Sequence, residues 1–156
     1  MKNNKPLDGI KVIEISTIIT ASLSAMMLAD QGAEVIKIEQ TGFGDPLRYL
    51  GTQKGGVSAI FANVNRGKSS LELDLKKDTD LNSAKKLICE ADVLINNFRP
   101  GVMEALGLSK AECKKINKNL IYVAITGFGK EGSFSSSPAY DHVVQAMSGA
   151  TAIQSD

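Results

Sequence analysis

Met26-Met-Leu-Ala-Asp-Gln-Gly-Ala-Glu-Val-Ile-Lys-Ile-Glu39 is the stretch that decides the fold. Its first residues continue a run from Thr20 in which small side chains (Ala21, Ser22, Ser24, Ala25) alternate with bulk at Leu23, Met26, Met27 and Leu28. That pattern predicts a helix over Thr20–Gln31, closed by Gly32, a residue that takes left-handed backbone without steric cost. Glu34–Ile38 reads as the second strand. Upstream, Ile10-Lys-Val-Ile-Glu-Ile15 has apolar positions too crowded for a one-faced surface strand, so it reads as a buried parallel strand.

The alternation continues along the chain. Thr41–Gly56 is loop-like, with Pro46 and a single helical turn around Leu47–Leu50, and Ser58–Asn63 is a short helix. Leu71–Leu75 alternates and predicts a strand. Asp78 or Thr79 caps a helix to about Glu90. Asp92–Asn96 is another strand, Pro100 starts a helix and Gly107 stops it. Ser109-Lys-Ala-Glu112 has the capping-box spacing, which predicts a helix to about Asn117. Leu120–Ile125 is a further central strand, Lys130–Ser137 a loop and Ala139–Ser148 the last helix. With no repeat or linker, this describes one α/β domain over residues 1–156. It is Rossmann-like, an open, mostly parallel twisted sheet with helices on both faces. Ligands of such sheets bind beyond the carboxyl ends of strands, here just after Ile15, Ile38, Asn96 and Ile125.

A chain of 156 residues can bury one real core. A net charge of +1 gives no bulk electrostatic signal for a nucleic-acid partner, and Lys114, Lys115 and Lys118 form a solvated helix face. Cys89 and Cys113 make no CxxC pair and His142 is the single histidine, so no metal site is expected and both thiols read as reduced. Met1–Pro6 is not followed by an apolar run of signal-peptide type, and no segment has transmembrane length. A cytoplasmic protein without a membrane partner is the expectation.

The strand-end loops hold the candidate site. Ser16–Ser22 places a helix N-terminus where a phosphate would be favoured, but it lacks the Gly-x-Gly-x-x-Gly of a dinucleotide site, which argues against NAD. Helix capping by Ser16 or Thr20 is the plain structural alternative. Glu39 is placed to accept ribose hydroxyls, or it forms a solvated polar pair with Gln40. Arg66 and Lys68 flank Gly67 as two cations able to receive phosphates, or form only a basic turn. In Asn96-Asn-Phe-Arg-Pro-Gly101, Phe98 can stack on a base, Asn can read its edge and Arg99 offers a forked donor. In the competing description Phe98 belongs to the core. Thr126-Gly-Phe-Gly129 permits close backbone approach.

Several blocks carry a resemblance: Met26–Glu39 with Gly44-Asp45-Pro46, Asn65–Leu75, Ala91–Gly101, Ile125–Gly129 and Pro138–Gly149. In this order, across nearly the whole chain, they resemble the opening of the family III CoA-transferases, the CaiB/BaiF group that includes the α-methylacyl-CoA racemases. The resemblance implies coenzyme A or acyl-CoA as substrate, with contacts at Thr17, Ile19 and Thr20, and Gln40 near the adenosine. It extends them to Leu73 and Lys76, Asn97 and Phe98, and Ala105 and Leu106, with Thr126 and Gly127 near the reaction centre. The chain departs from the family at Thr20-Ala21-Ser22, where Ala-Gly-Pro is usual, and at Ala105, where a basic residue is frequent.

The racemases carry a His-Asp pair where this chain has Tyr140-Asp141, and His142 falls one place beyond. A phenol is a poor base at neutral pH, so transferase is favoured over racemase. His142 is then a surface or interface residue, and Asp141 a cap or a hydrogen-bond acceptor. The resemblance also implies an aspartate nucleophile, in a Gly-Asp segment expected beyond residue 156. The chain is accordingly expected to be an N-terminal CoA-binding part, inactive alone, of an enzyme that moves CoA between an acyl-CoA and a carboxylic acid. Full-length relatives form interlocked homodimers. The alternatives are a racemase fragment and a non-catalytic CoA- or nucleotide-binding module.

Overall fold

The computed structural model describes residues 5–154. Its strands are β1 Lys11–Ile15, β2 Glu34–Glu39, β3 Gln53–Lys54, β4 Val57–Ser58, β5 Lys68–Glu72, β6 Val93–Asn96 and β7 Ile121–Ala124. The helices are α1 Thr20–Asp30, α2 Ala59–Asn65, α3 Asp78–Glu90, α4 Val102–Ala105, α5 Lys110–Ile116, α6 Asp141–Met147 and α7 Ala150–Gln154, with a 3-10 turn at Pro46–Tyr49. Five strands form one parallel sheet in the order β5-β2-β1-β6-β7, and β3 pairs with β4 as a small antiparallel hairpin.

The expected α/β architecture is therefore present. Alternation along β1 sends Val12 to one face and Ile13 and Ile15 to the other. On the first face Val12, Val35 and Ile95 pack against Ala21 and Ala25 of α1, both fully buried. The small side chains of α1 allow this close approach. On the second face Ile13, Ile15, Ile38 and Leu94 pack against Ala84 and Ile88 of α3 and Cys113 of α5. Burial pushes the Cys113 thiol up to about 11, so it is an inert core residue.

Four local expectations change. The third sheet strand is Lys68–Glu72, not Leu71–Leu75. Lys68, Ser69 and Ser70 pair with Val35, Ile36 and Lys37, while Leu73 and Leu75 pack against the α3-side core. β7 is an edge strand among the described residues, since it pairs only with β6, and Ile121 is 60% exposed. α3 is capped by neither Asp78 nor Thr79. Lys77 is the N-cap without a side-chain bond, and Asp78 and Asp80 sit in the first turn, where carboxylates oppose the positive helix end. Pro100 lies before α4, whose N-cap is Gly101 at φ 92°, with the Gly101 N–H donating to Glu104 Oε2. The capping box at Ser109 and Glu112 forms as expected. Among the described residues no helix is long and apolar enough to cross a membrane.

Candidate functional site

The sheet runs from β1 through β2 to β5 on one side and to β6 and β7 on the other. The strand order thus reverses between β1 and β6, the place where open α/β sheets bind ligands. Two loops meet there, Ser16–Ile19 after β1 and Asn97–Gly101 after β6. The Thr17 N–H donates to Asn97 Oδ1 (3.0 Å), and Asn97 Nδ2 donates to the Thr17 carbonyl (2.7 Å) and to Thr20 Oγ1 (3.0 Å). Asn97 thus imitates a strand neighbour and clamps the loop that enters α1. Both of its amide hydrogens are used on the loop, and its Oδ1 keeps a second acceptor position.

Beneath this rim lies an ionic cluster that strand patterning did not reveal. Glu14 of β1 stands opposite Lys37 of β2 in the ladder, both facing α1. Lys37 Nζ lies 2.6 Å from Glu14 Oε1 and 2.9 Å from Asp45 Oδ2, and Lys68 Nζ lies 2.7 Å from Glu14 Oε2. No side chain of the four is more than 2% exposed. Two anions meet two cations, so the cluster is neutral as a whole. Lys37 also donates to Ser22 Oγ (3.0 Å), and Ser16 and Ser22 both donate to Glu14 Oε1. Burial opposes the charge on Glu14, but Lys37 and Lys68 outweigh it and hold its carboxyl below the usual range. The contact between Asp45 Oδ2 and Lys37 is an ion pair without a directed hydrogen bond.

This cluster corrects the expected phosphate site at residues 65–70. Lys68 gives its three hydrogens to Glu14, the Ser22 carbonyl and Asn65 Oδ1. Arg66 is engaged by Asp30 and by Asn63. Glu39 is likewise neither a ribose acceptor nor a solvated pair with Gln40. Its side chain is 1% exposed and holds Arg48 through two bonds of 2.7 and 2.6 Å, with Ser70 Oγ and the Asp45 N–H as further donors. Arg48 in turn lies over the Phe61 ring, 3.9 Å from its centroid.

Burial disfavours the Glu39 charge, but Arg48, Ser70 and the Asp45 N–H together bring its pKa from 4.5 to about 2. A carboxyl lowered in the folded state stabilises above its unfolded pKa and loses that contribution as pH falls through the folded one. The stability gap between wild type and Arg48→Ala should therefore narrow in acid, from about pH 5 downward. Urea denaturation across that range reads it, and a constant or widening gap would contradict the coupling.

The remaining candidates lie in the segments that follow β1, β2, β5, β6 and β7. Ile19 is the N-cap of α1 and 41% exposed. Gln40 and Lys76 are exposed, while Leu73 is half-buried with its N–H on the Glu39 carbonyl. Ala105 is exposed, and Leu106 is partly buried against the core. Phe98, Arg99, Met103 and Thr126 line a small groove between the ends of β6 and β7. Gly127 is exposed, and a Cβ added there would lie 1.9 Å from that of Ala139, so close approach requires glycine.

Phe98 combines the two descriptions offered for it, half-buried and packed against the α3-side core while lining the groove. An exposed ring would have made Phe98→Ala neutral for folding. The observed packing predicts a loss of stability smaller than the about 3–5 kcal/mol of a fully buried phenylalanine, measurable by urea denaturation. An unchanged midpoint would contradict this packing. Tyr140 is 61% exposed, His142 is exposed, and Asp141 accepts from Gln145 Nε2 (2.7 Å), so the three form no cluster.

Fold and rim define an open parallel α/β domain with a switch-point loop site. The family model for CoA-transferase family III matches residues 7–156, and the chain belongs to that family. It is 45% identical over 148 residues to an acetyl-CoA:oxalate CoA-transferase of Acetobacter aceti, covering 95% of this chain and 38% of that protein. It is 37% identical over 150 residues to the human succinyl-CoA:glutarate CoA-transferase, covering 96% of this chain and 34% of that protein. A CaiB/BaiF family structure from Brucella suis superposes with TM-score 0.88 at 38% identity, over 94% of this chain and 40% of that one. The chain thus spans less than half the length of these relatives.

Proposed function

We propose that this chain is the CoA-binding part, a single domain, of a longer enzyme that moves CoA between an acyl-CoA and a carboxylic acid. The observation that carries the proposal is the clamped loop Thr17–Thr20 at the switch point, in a member of family III. Thr17, Ile19 and Thr20 present this loop to the CoA chain, with Phe98, Thr126 and Gly127 along the neighbouring groove. Gln40, Leu73 and Lys76 lie on the side of β2 and β5, where the adenosine end is placed. Relatives named for oxalate and glutarate suggest a dicarboxylic acid as acceptor. A homodimer and a cytoplasmic location belong to the same proposal.

Transfer proceeds by covalent catalysis. An aspartate carboxylate, expected in sequence after residue 156, attacks the thioester carbonyl and releases CoA thiolate, leaving a mixed anhydride. The thiolate attacks the aspartyl carbonyl and expels the donor carboxylate, which gives an aspartyl-CoA thioester. The acceptor carboxylate then takes CoA by the same two steps in reverse. The residues of this chain hold and orient CoA during that exchange. Calorimetric titration of the purified chain with CoA and with NAD tests the proposal. Saturable binding of CoA but not NAD is expected, and binding of NAD or of neither would overturn it.

A further inference from the structure

We infer that Asp45 is a positioning residue for CoA, holding Ile18 in a left-handed conformation and so aiming the backbone of Thr17–Thr20 at the ligand. The inference rests on the proposed CoA site. Ile18 has φ 65°, the only non-glycine residue with positive φ among those described. A β-branched residue seldom adopts this conformation, and it persists where the surroundings over-determine it. Here the surroundings do so from three directions. Thr17 is clamped by Asn97 on one side, and on the other the Ile19 carbonyl begins α1 by accepting from the Leu23 N–H (2.7 Å). Between them the Ile18 N–H donates to Asp45 Oδ1 (3.1 Å).

Asp45 is itself immobilised. Its Oδ1 also accepts from the Leu47 N–H (2.8 Å), its Oδ2 faces Lys37, and its own N–H donates to Glu39 (2.9 Å). Buried ion pairs contribute little net stability relative to apolar packing. What this one supplies is a carboxylate at a fixed place, delivered from the loop after β2 to the loop after β1. A cap serving only the 3-10 turn at Pro46–Tyr49 would need Leu47 alone and no bond to Ile18.

The test uses Asp45→Asn, Ile18→Gly, their combination, and Ile18→Pro in the 156-residue chain, with folding checked by circular dichroism. Asp45→Asn is expected to weaken CoA binding about tenfold, or about 1.4 kcal/mol, and to speed hydrogen exchange at the Ile18 amide. Adding Ile18→Gly should recover part of that affinity, because glycine takes the left-handed conformation without steric cost. Ile18→Pro forbids positive φ and removes the N–H while leaving the ionic cluster intact, so it decides the matter if Asp45→Asn fails to fold. It too should lose CoA binding.

Wild-type affinity in folded Asp45→Asn or in Ile18→Pro, or a double variant as weak as Asp45→Asn, would overturn the inference. If the wild-type chain binds no CoA, the proposed site fails on its own account. Exchange at Ile18 still reads the Asp45 anchor, and an unchanged rate in Asp45→Asn would overturn that.

Discussion

Replacing Glu14 by glutamine is expected to cost about 3–5 kcal/mol of folding stability, the range for breaking a buried ion pair. The carboxylate faces Lys37 at 2.6 Å and Lys68 at 2.7 Å, and its side chain is fully buried. Glutamine can still accept one hydrogen bond, but its amide nitrogen must then face the other ammonium. Two cations would share the single charge of Asp45. Urea denaturation should show a lower midpoint at an unchanged slope. Arg66→Ala provides the contrast. Its pair with Asp30 has side chains 50% and 44% exposed, and such surface pairs contribute about 0–1 kcal/mol. A Glu14→Gln variant no less stable than Arg66→Ala would show that the cluster is not a neutral buried unit.

Asn97→Ala should separate binding from folding. It removes three hydrogen bonds, two of them to the backbone of Thr17, and frees both that peptide and the Thr20 hydroxyl. Asn97 is only half-buried, so water can satisfy the freed groups and the domain should remain folded. The loop then loses one of the contacts that hold Ile18 left-handed. CoA affinity should fall about 10–100-fold, the equivalent of two or so such bonds. Calorimetry on the folded variant measures this, and wild-type affinity would remove the clamp from the site.

Much of the fold was legible because apolar periodicity reports burial directly. The crowded β-branched run at Ile10–Ile15 does form the middle strand of the sheet, and Gly32, at φ 106°, does close α1. The alternation of Leu71, Leu73 and Leu75 misled because Leu71 is an exposed residue of β5, while Leu73 and Leu75 pack against the α3-side core beyond the strand's end. The pairing strand itself is polar, since its first residue carries an ammonium into the cluster. The β3–β4 hairpin was missed although Gly55-Gly56, between Gln53-Lys54 and Val57-Ser58, is a recognised turn signal.

The rim loops do follow the carboxyl ends of the strands, but the protein partners of single residues in them were not legible. Lys68, Glu39 and Asn97 look like ligand contacts in sequence and are committed to protein partners in the structure. Several of the deciding partners lie far off in sequence, up to 80 residues away, and no local pattern reports them. One signal was available. Glu14 sits inside a strand read as buried, and a charge there requires an opposite charge nearby, which Lys37 on the neighbouring strand supplies.

Nitrogen-15 NMR of the chain titrated with CoA tests the placement of the site most directly. Shifts should concentrate at Thr17, Ile18, Ile19, Phe98 and Thr126, on the carboxyl rim around the β1–β6 switch point. Shifts confined to the opposite end of the sheet or to α6 and α7, or none at saturating CoA, would contradict it.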